Sequence, residues 1–290
     1  MRVISSTLQA RWKPPIEAAP TARGLRLVIL APRRGEVPQS YLNISGDRSQ
    51  YSRLLQQMQR LRGRIALQEG VVAKSALRSC GRYVMPGDEE SWHLLRVRSD
   101  GTVAACARVL VHPHDVKFSR LRLASSSVAR SGVWSPHVRD AVETELHHAR
   151  LSGHTTIEPG GWVVDADLRG KFEAISLVIG AFALAQILGN CVGFMTATVK
   201  HGSSTILRRL GGRNLHAAGD PIPPFFEPDW GCDMELLRFD TTSLNPRFRA
   251  TLAEARWQLK TAPLFSPGAP RRPFAHVPVN YRLPLLVHDS

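Results

Sequence analysis

The sequence predicts an α/β protein with a mixed sheet, and three observations lead to this class. An Asp-Gly turn joins two apolar runs, residues 92–98 and 102–111, which is typical of a hairpin because Gly accepts the positive φ of the turn. Residues 158–188 then read as a strand, a tight basic turn and a helix. Finally, Gly189-Asn190 interrupts the charge-free stretch 174–199, which favours a buried helix followed by a buried strand over the alternative of one membrane-spanning helix.

The remaining elements continue the alternation. Apolar periodicity predicts a helix over residues 51–68, and Pro136 in a first turn predicts another helix that ends near residue 150. Residues 203–210 form a short predicted helix, residues 232–239 a strand, and Asn245-Pro246 begins a last helix. The predicted order is therefore helix, hairpin, helix, strand, helix, strand, helix, strand.

The composition divides the chain into three parts. Residues 1–40 are rich in Pro and Arg and are expected to form a loosely ordered basic arm, in which 25–30 is a short apolar run. Residues 41–262 carry the predicted elements and are expected to form the folded domain. Residues 263–290 are expected to be a Pro-rich tail without regular structure.

The chain is strongly basic, with 38 Lys and Arg residues against 24 acids and a formal charge of +14. Such a balance is compatible with nucleic acid, an anionic membrane surface or an acidic protein as partner, and equally with a basic surface that has no specific partner. Because no helix-turn-helix, zinc-finger or aromatic RNA-binding motif is present, nucleic acid is not the expected partner.

The Cys and His residues indicate neither a disulfide framework nor a metal site. Cys80, Cys106, Cys191 and Cys232 are isolated, three of them within or beside apolar runs, which predicts a reducing cytoplasm as the location. His112 and the adjacent pair at 147–148 lack metal-ligand spacing, and no metal is expected.

The basic turn at residues 169–174 is the most informative chemical feature. The first N–H groups of a helix carry partial positive charge, and Arg169 and Lys171 add full charges beside them. A phosphate group fits such a turn. The alternative is a basic connection that binds no ligand.

This turn resembles the coenzyme A signature of the acyl-CoA N-acyltransferase (GNAT) family. Arg169 and Ala174 match its first and last positions, whereas Phe172 replaces its middle Gly and favours a donor other than acetyl-CoA. The resemblance implies a GNAT fold, with a mixed, mostly antiparallel twisted sheet flanked by helices, over residues 41–262. It also implies a donor-phosphate site comprising Arg169, Gly170, Lys171, Phe172, Glu173 and Ala174.

Two further motifs narrow the resemblance. Residues 100–110 are similar to a hairpin strand of acyl-homoserine-lactone synthases and long-chain N-acyl amino acid synthases, which implies an acyl or acceptor pocket at Arg108 and Trp162. Residues 200–212 look like the last GNAT motif and add His201 and Ser203 to that pocket, with Leu207 in place of a Tyr acid. Gly161 replaces an Arg of the lactone synthases, and their aromatic-rich motif in the first helix is absent, which favours the amino acid synthases or another relative of the two groups.

The implied chemistry needs few side chains. Glu158 matches a carboxylate of the family and is the predicted catalytic base, directly or through water; the alternative is a surface carboxylate at a strand start. Gly160-Gly161 permits a bulge whose N–H groups polarise the thioester carbonyl. The thiolate, with a pKa of about 8.5, leaves without an acid.

The expected function is therefore N-acyl transfer of a long chain from a thioester donor to an amine such as an amino acid. The donor is acyl-CoA or an acylated phosphopantetheine on an acyl carrier protein, and the basic charge and Phe172 favour the carrier protein. No permanently bound cofactor is expected. The alternatives are a catalytically inactive GNAT-fold binding protein and a basic nucleic-acid-binding protein.

Overall fold

A ten-stranded mixed sheet organises the fold, with helices on both of its faces. The computed structural model describes residues 24–200, 202–217 and 219–269. The helices are α1 Arg48–Gln68, α2 Ser127–Arg130, α3 Ser135–Leu151, α4 Phe172–Ile187, α5 Ser203–Leu210 and α6 Arg249–Thr261. The strands are β1 Leu25–Leu30, β2 Ile44–Ser45, β3 Ser91–Arg98, β4 Val103–Val111, β5 Thr155–Val164, β6 Cys191–Thr198, β7 Arg213–Asn214, β8 His216–Ala217, β9 Asp220–Pro221, β10 Phe225–Glu227, β11 Cys232–Asp240 and β12 Leu264–Phe265.

The strand order is β10-β11-β6-β5-β4-β3-β1-β12-β2, with β7 also paired to β11. Most neighbours are antiparallel, and β5 runs parallel to β6. The sequence α1, β3–β4, α3, β5, α4, β6, α5, β11 reproduces the predicted order of elements. The prediction of an α/β fold with a mixed, mostly antiparallel sheet flanked by helices is thus confirmed.

Two helical layers bury the two faces of this sheet. On one face, α1 packs Leu54 and Met58 against Leu95 and Cys106, while α3 covers β6 and β11 further along. On the other face, α4, α5 and α6 share a single apolar core with β3, β4 and β6. Because α4 is buried nearly all round, its sequence is apolar on every side rather than striped.

The uncharged stretch 174–199 divides as predicted. Helix α4 ends at Ile187, Asn190 takes a positive φ of 59°, and β6 begins at Cys191. Among the described residues, every helix is too short or too polar to span a lipid bilayer.

Two strands lie outside the boundaries that the sequence predicted for the folded domain. The run Leu25–Leu30, interpreted as part of a loose arm, is β1 and pairs with β3 over its full length. Leu264–Phe265, interpreted as tail, is β12 and pairs with β1 and β2. Both interpretations are wrong because these short runs are stabilised by long-range pairing and burial on both faces, which composition does not report. Residues 1–23 and 270–290 fall outside the described residues.

Candidate active site

Strands β5 and β6 separate part of the way along their length. They pair only through residues 155–157 of β5 and 191–193 of β6, although both strands continue and are described throughout. Pro159 follows this paired segment and has no N–H to donate. The divergence leaves a gap in the middle of the sheet.

A β-bulge lies in β5 beside this gap. Cys106 and Arg108 of β4 face Val163 and Gly160 of β5, so two residue steps on β4 oppose three on β5. Gly161 occupies the extra position with φ +57°, a conformation that costs a residue with a Cβ about 1 kcal/mol or more. The predicted bulge at Gly160-Gly161 is therefore present. A bulge leaves backbone groups unpaired by the ladder, which suits recognition of an oxyanion.

An apolar pocket that is open to solvent lies at this gap. Arg108 and Trp162, both predicted pocket residues, line it on the β4–β5 side. The Trp162 indole donates a hydrogen bond from Nε1 to the Ala174 carbonyl at 3.1 Å, which ties the bulge to the first turn of α4. Leu207, which the resemblance aligned with a Tyr acid, also lines the cavity with its apolar side chain.

Glu158 is a buried carboxylate held by three donors. The backbone N–H groups of Arg122 and Leu123 donate to it at 2.9 Å each, and the His112 ring lies 2.8 Å from its Oε2. The alternative of a surface carboxylate is therefore wrong. These donors already occupy both carboxylate oxygens of Glu158. Its role as the catalytic base stays a prediction.

His112 reads as a loop residue in the sequence, which gives no sign of its contact with Glu158. Leu110 pairs with Glu158 across β4 and β5, and the His112 N–H continues the ladder to the Thr156 carbonyl at 2.9 Å. Side chains at 112 and 158 are then diagonal neighbours on one sheet face. This pairing depends on strand register, which the sequence does not contain.

A charged cluster is buried on the α1 face of the sheet, behind the bulge. Arg62, Asp88 and Arg108 have side chains 2%, 3% and 1% exposed. The Asp88 carboxylate pairs with Arg62 through both of its oxygens and lies 3.5 Å from the Arg108 Nη1. Arg108 Nη1 also donates to the Pro86 carbonyl at 2.9 Å. Two guanidinium groups therefore share one carboxylate here.

Within the described part of the chain, the Arg108 guanidinium lacks hydrogen-bond partners for some of its donors. Its Nε and Nη2 have no hydrogen-bond partner among the described residues, and the same is true of Arg62 Nε. A buried donor without a partner costs about 1–3 kcal/mol, and more when it is charged. A Cβ at Gly161 would lie 3.7 Å from Arg62 Nη1 and 3.5 Å from Arg108 Cβ, so the cluster borders the bulge directly. The arrangement suits an anion bound next to the bulge.

Arg122 adds positive charge on the same face. Burial lowers the pKa of its guanidinium, opposed by the nearby Glu158 and Asp88 carboxylates. The positive charge of Arg62 also lowers the pKa of Arg122. The Glu158 region and the Arg62–Asp88 region therefore belong to one electrostatic environment. Sequence reasoning singled out neither Arg62, Asp88 nor Arg122, since each lies in a segment with several similar charges.

The buried His93 ring is expected to make the free energy of unfolding depend on pH. Burial lowers the pKa of its ring to about 4, and Nε2 lies 2.7 Å from the Asp88 carbonyl, to which the neutral ring donates. The unfolded ring titrates near 6.5, so the unfolded state binds more protons between these values and stability falls as the pH is lowered through this window. We expect a loss of about 2 kcal/mol from this group by pH 5.

Urea unfolding at pH 7.5 and pH 5 measures this effect, with His93→Gln as the comparison. The variant starts from a lower stability but lacks the His93 component, so its pH dependence is shallower. An equally steep loss in both proteins would show that other groups cause it.

The predicted donor-phosphate residues lie together at the start of α4. Lys171 is the N-cap, Phe172 is the first helical residue and 38% exposed, and Ala174 is buried. Arg169 is 49% exposed and forms an ion pair with Glu69 at 2.8 Å. Gly170 turns the chain with φ +72°. The turn is therefore accessible and adjoins the Trp162 end of the cavity.

The remaining predicted pocket residues are Ser203 and His201. Ser203 begins α5, and the Thr198 hydroxyl donates to its Oγ at 3.3 Å, but Ser203 does not line the cavity. His201 lies outside the described residues. In the described ranges, no group of three His, Cys, Asp or Glu residues could hold a metal ion, and all four cysteines are free thiols.

Comparison of the sequence with protein-family models and with curated proteins gives no match. Among solved structures, a CoA-dependent acyl-homoserine lactone synthase, BjaI, with SAM and isopentyl-CoA, is 15% identical with a TM-score of 0.48, over 88% of this chain and 96% of that one. FeeM, an N-acyl amino acid synthase from uncultured soil microbes, is 14% identical with a TM-score of 0.43, over 80% and 98%. ElaA of Escherichia coli is 12% identical with a TM-score of 0.42, over 74% and 98%. Both groups that the sequence motifs resemble are thus present among the similar structures.

Proposed function

We propose that this protein is an N-acyltransferase that moves an acyl group from a thioester to the amine of a carboxylate-bearing acceptor such as an amino acid. The observation that carries the proposal is the apolar cavity that opens beside the bulge in β5, with a buried, positively charged cluster on the opposite face. An acyl chain fits the first feature and an anionic acceptor fits the second. The bulge between them is where the two substrates would meet.

The reaction follows from this placement. The acyl chain enters the cavity, and its thioester carbonyl lies at the bulge near Gly161. The acceptor amine attacks this carbonyl and loses a proton, a C–N bond forms, and the C–S bond breaks. The thiolate leaves without an acid and takes up a proton from solvent afterwards. Backbone N–H groups at the bulge stabilise the oxyanion in the transition state.

The pair formed by His112, which follows β4, and Glu158 on β5 is the acid–base couple that would take the proton from the attacking amine. A neutral His112 that donates its Nε2 proton to Glu158 retains a lone pair on Nδ1. Glu158 then orients the ring, and the proton reaches His112 directly or through water. In this arrangement Glu158 positions the His112 ring, in addition to the role of catalytic base that the sequence predicts for it.

The acceptor carboxylate would bind at the Arg62–Asp88–Arg108 cluster. In an α-amino acid the carboxylate is only one carbon from the amine, so an amine at the bulge places its carboxylate near the two guanidinium groups. Arg108 Nε and Nη2 would gain the partners that they lack. An additional anion would also balance the excess positive charge.

Donor phosphate would bind at the turn before α4, and charge reversal of this turn tests the placement. The double variant Arg169→Glu, Lys171→Glu is expected to raise the donor KM about 10-fold or more, because charge-assisted contacts to phosphate are lost. Stability should change little, since the Arg169–Glu69 pair is exposed. The matched control reverses two exposed charges at the start of α6, Arg247 just before the helix and Arg249 as its first residue. Equal KM values in both double variants would place the donor elsewhere.

The decisive test of function is product formation. Purified protein is incubated with acyl-CoA thioesters and amino acids, and N-acylated products are sought by mass. The same acyl group is then presented on acyl carrier protein, at low and high salt, because steering of an acidic carrier by a basic surface weakens with salt. Thioester binding without any product would identify the catalytically inactive alternative.

A further inference from the structure

The Cys106 thiol lies directly against the bulge in β5. Cys106 is buried on β4, where it packs with Leu54 and Met58 of α1, and its Sγ donates to the Gly161 carbonyl at 3.5 Å. Its ladder partner is Val163, so the thiol reaches back along β5 to the residue that the bulge adds. A side chain that looks like a small apolar residue in the sequence therefore holds a polar backbone group at the candidate active site.

This contact determines the direction of the Gly161–Trp162 peptide. The peptide is trans, so its carbonyl and its N–H point in opposite directions. Because the carbonyl faces Cys106 on β4, the Trp162 N–H faces away from β4, towards β6. The β5–β6 ladder ends at Ile157 and Gly193, which leaves this N–H outside the ladder. The thiol at one end of the peptide thus aims the N–H at the other end towards the apolar pocket that Trp162 lines.

Gly161 needs such an external contact to keep one orientation. Its φ of +57° is one that Gly adopts about as readily as a negative φ, so the residue itself does not fix the peptide. The thiol is a weak donor, but the burial of Cys106 excludes competing water. Burial also raises the pKa of Cys106 to about 11, so at neutral pH the thiol retains the proton that it donates.

We propose that Cys106 is a positioning residue for acyl transfer, whose thiol holds the Gly161 carbonyl so that the Trp162 N–H donates to the thioester oxygen as it becomes an oxyanion. The inference rests on the proposed acyl transfer. It assigns the oxyanion donor to one amide, and the orientation of that amide to one side chain. Cys106 acts only through this peptide, since it does not line the pocket. A donor that is held in place before the reaction stabilises the developing charge without having to reorient.

Serine and valine at position 106 separate the hydrogen bond from the packing. Cys106→Ser keeps a donor but places a hydroxyl in an apolar cluster, whereas Cys106→Val fills the space without a donor. We expect kcat to fall about 5- to 10-fold in the valine variant and to stay within about twofold of native in the serine variant, because only valine loses the hydrogen bond. The donor KM should be nearly unchanged in both. Stability in urea should follow the opposite order, with the serine variant less stable.

Cys232→Val is the matched control, because Cys232 is also a buried free thiol and does not line the pocket. It should keep the native kcat. If kcat in the two Cys106 variants instead follows their stabilities, Cys106 is a packing residue and the proposal is wrong.

The amide NMR signal of Trp162 in the free protein provides a measurement that does not depend on activity. This signal should move in Cys106→Val and stay close to its native position in Cys106→Ser, since only valine releases the carbonyl of the same peptide. An unchanged signal in the valine variant would overturn the proposal. If the native protein turns over no thioester donor, the proposed acyl transfer is wrong, and the Trp162 signal still decides whether the thiol orients the peptide.

Discussion

Replacing Gly161 with alanine is expected to remove most acyl transfer while changing stability by only about 1–2 kcal/mol. Gly161 has φ +57°, and a Cβ there would meet Arg108 Cβ at 3.5 Å and Arg62 Nη1 at 3.7 Å, which are ordinary contacts. The cost of Ala is therefore conformational rather than steric. If the backbone relaxes towards φ < 0, the bulge changes shape and its N–H groups turn away from the thioester carbonyl.

The expected loss in kcat is about 10²–10³-fold, the effect of removing one oxyanion donor. Gly153→Ala is the matched control, because Gly153 has φ +67°, a Cβ added to it would meet nothing within 4 Å, and it does not line the cavity. Both variants are compared by urea unfolding and by turnover of the preferred donor. Equal activity of Gly161→Ala and Gly153→Ala would mean that the bulge does not contribute to the reaction.

The bulge also shows what local sequence can predict. Three local features of the sequence indicate it: paired glycines within a strand, a Pro just before them and a basic turn after them. Each lies within a few residues of the bulge. The hairpin β3–β4, the division of 174–199 into α4 and β6, and the limits of α5 were predictable for the same reason. Each depends on turn or cap chemistry that neighbouring residues determine.

The features that local sequence does not reveal depend on contacts distant in sequence. β1 becomes a strand because it lies between β3 and β12, and Leu25–Leu30 alone is too short to show it. His112 reaches Glu158 only through the β4–β5 register, and Arg62 meets Asp88 only because α1 lies over the 83–90 segment. Nothing within one segment distinguishes these residues from other exposed-looking His, Arg and Asp residues.

Arg108 was singled out by resemblance, but its unusual feature is electrostatic. Removing one member of a buried ion pair usually costs about 3–5 kcal/mol, because it leaves an uncompensated charge. Here two guanidinium groups share the Asp88 carboxylate, so removing Arg108 leaves the closer Arg62–Asp88 pair intact. A buried charge that destabilises the free protein is typical of a binding site, where a ligand supplies the missing hydrogen-bond partner.

Arg108→Met is therefore expected to leave the free energy of unfolding within about 1 kcal/mol of the native protein, since the excess charge and the unpaired donors disappear together. The acceptor KM should rise about 10- to 100-fold, the effect of losing hydrogen bonds to a charged group, with a smaller change in the donor KM. Arg62→Met is the comparison within the same cluster. It removes the main partner of Asp88 and should lower stability by about 3–5 kcal/mol. Urea unfolding and steady-state kinetics of the two variants separate the roles. If Arg108→Met is as destabilised as Arg62→Met and its acceptor KM is unchanged, Arg108 is structural and the acceptor carboxylate binds elsewhere.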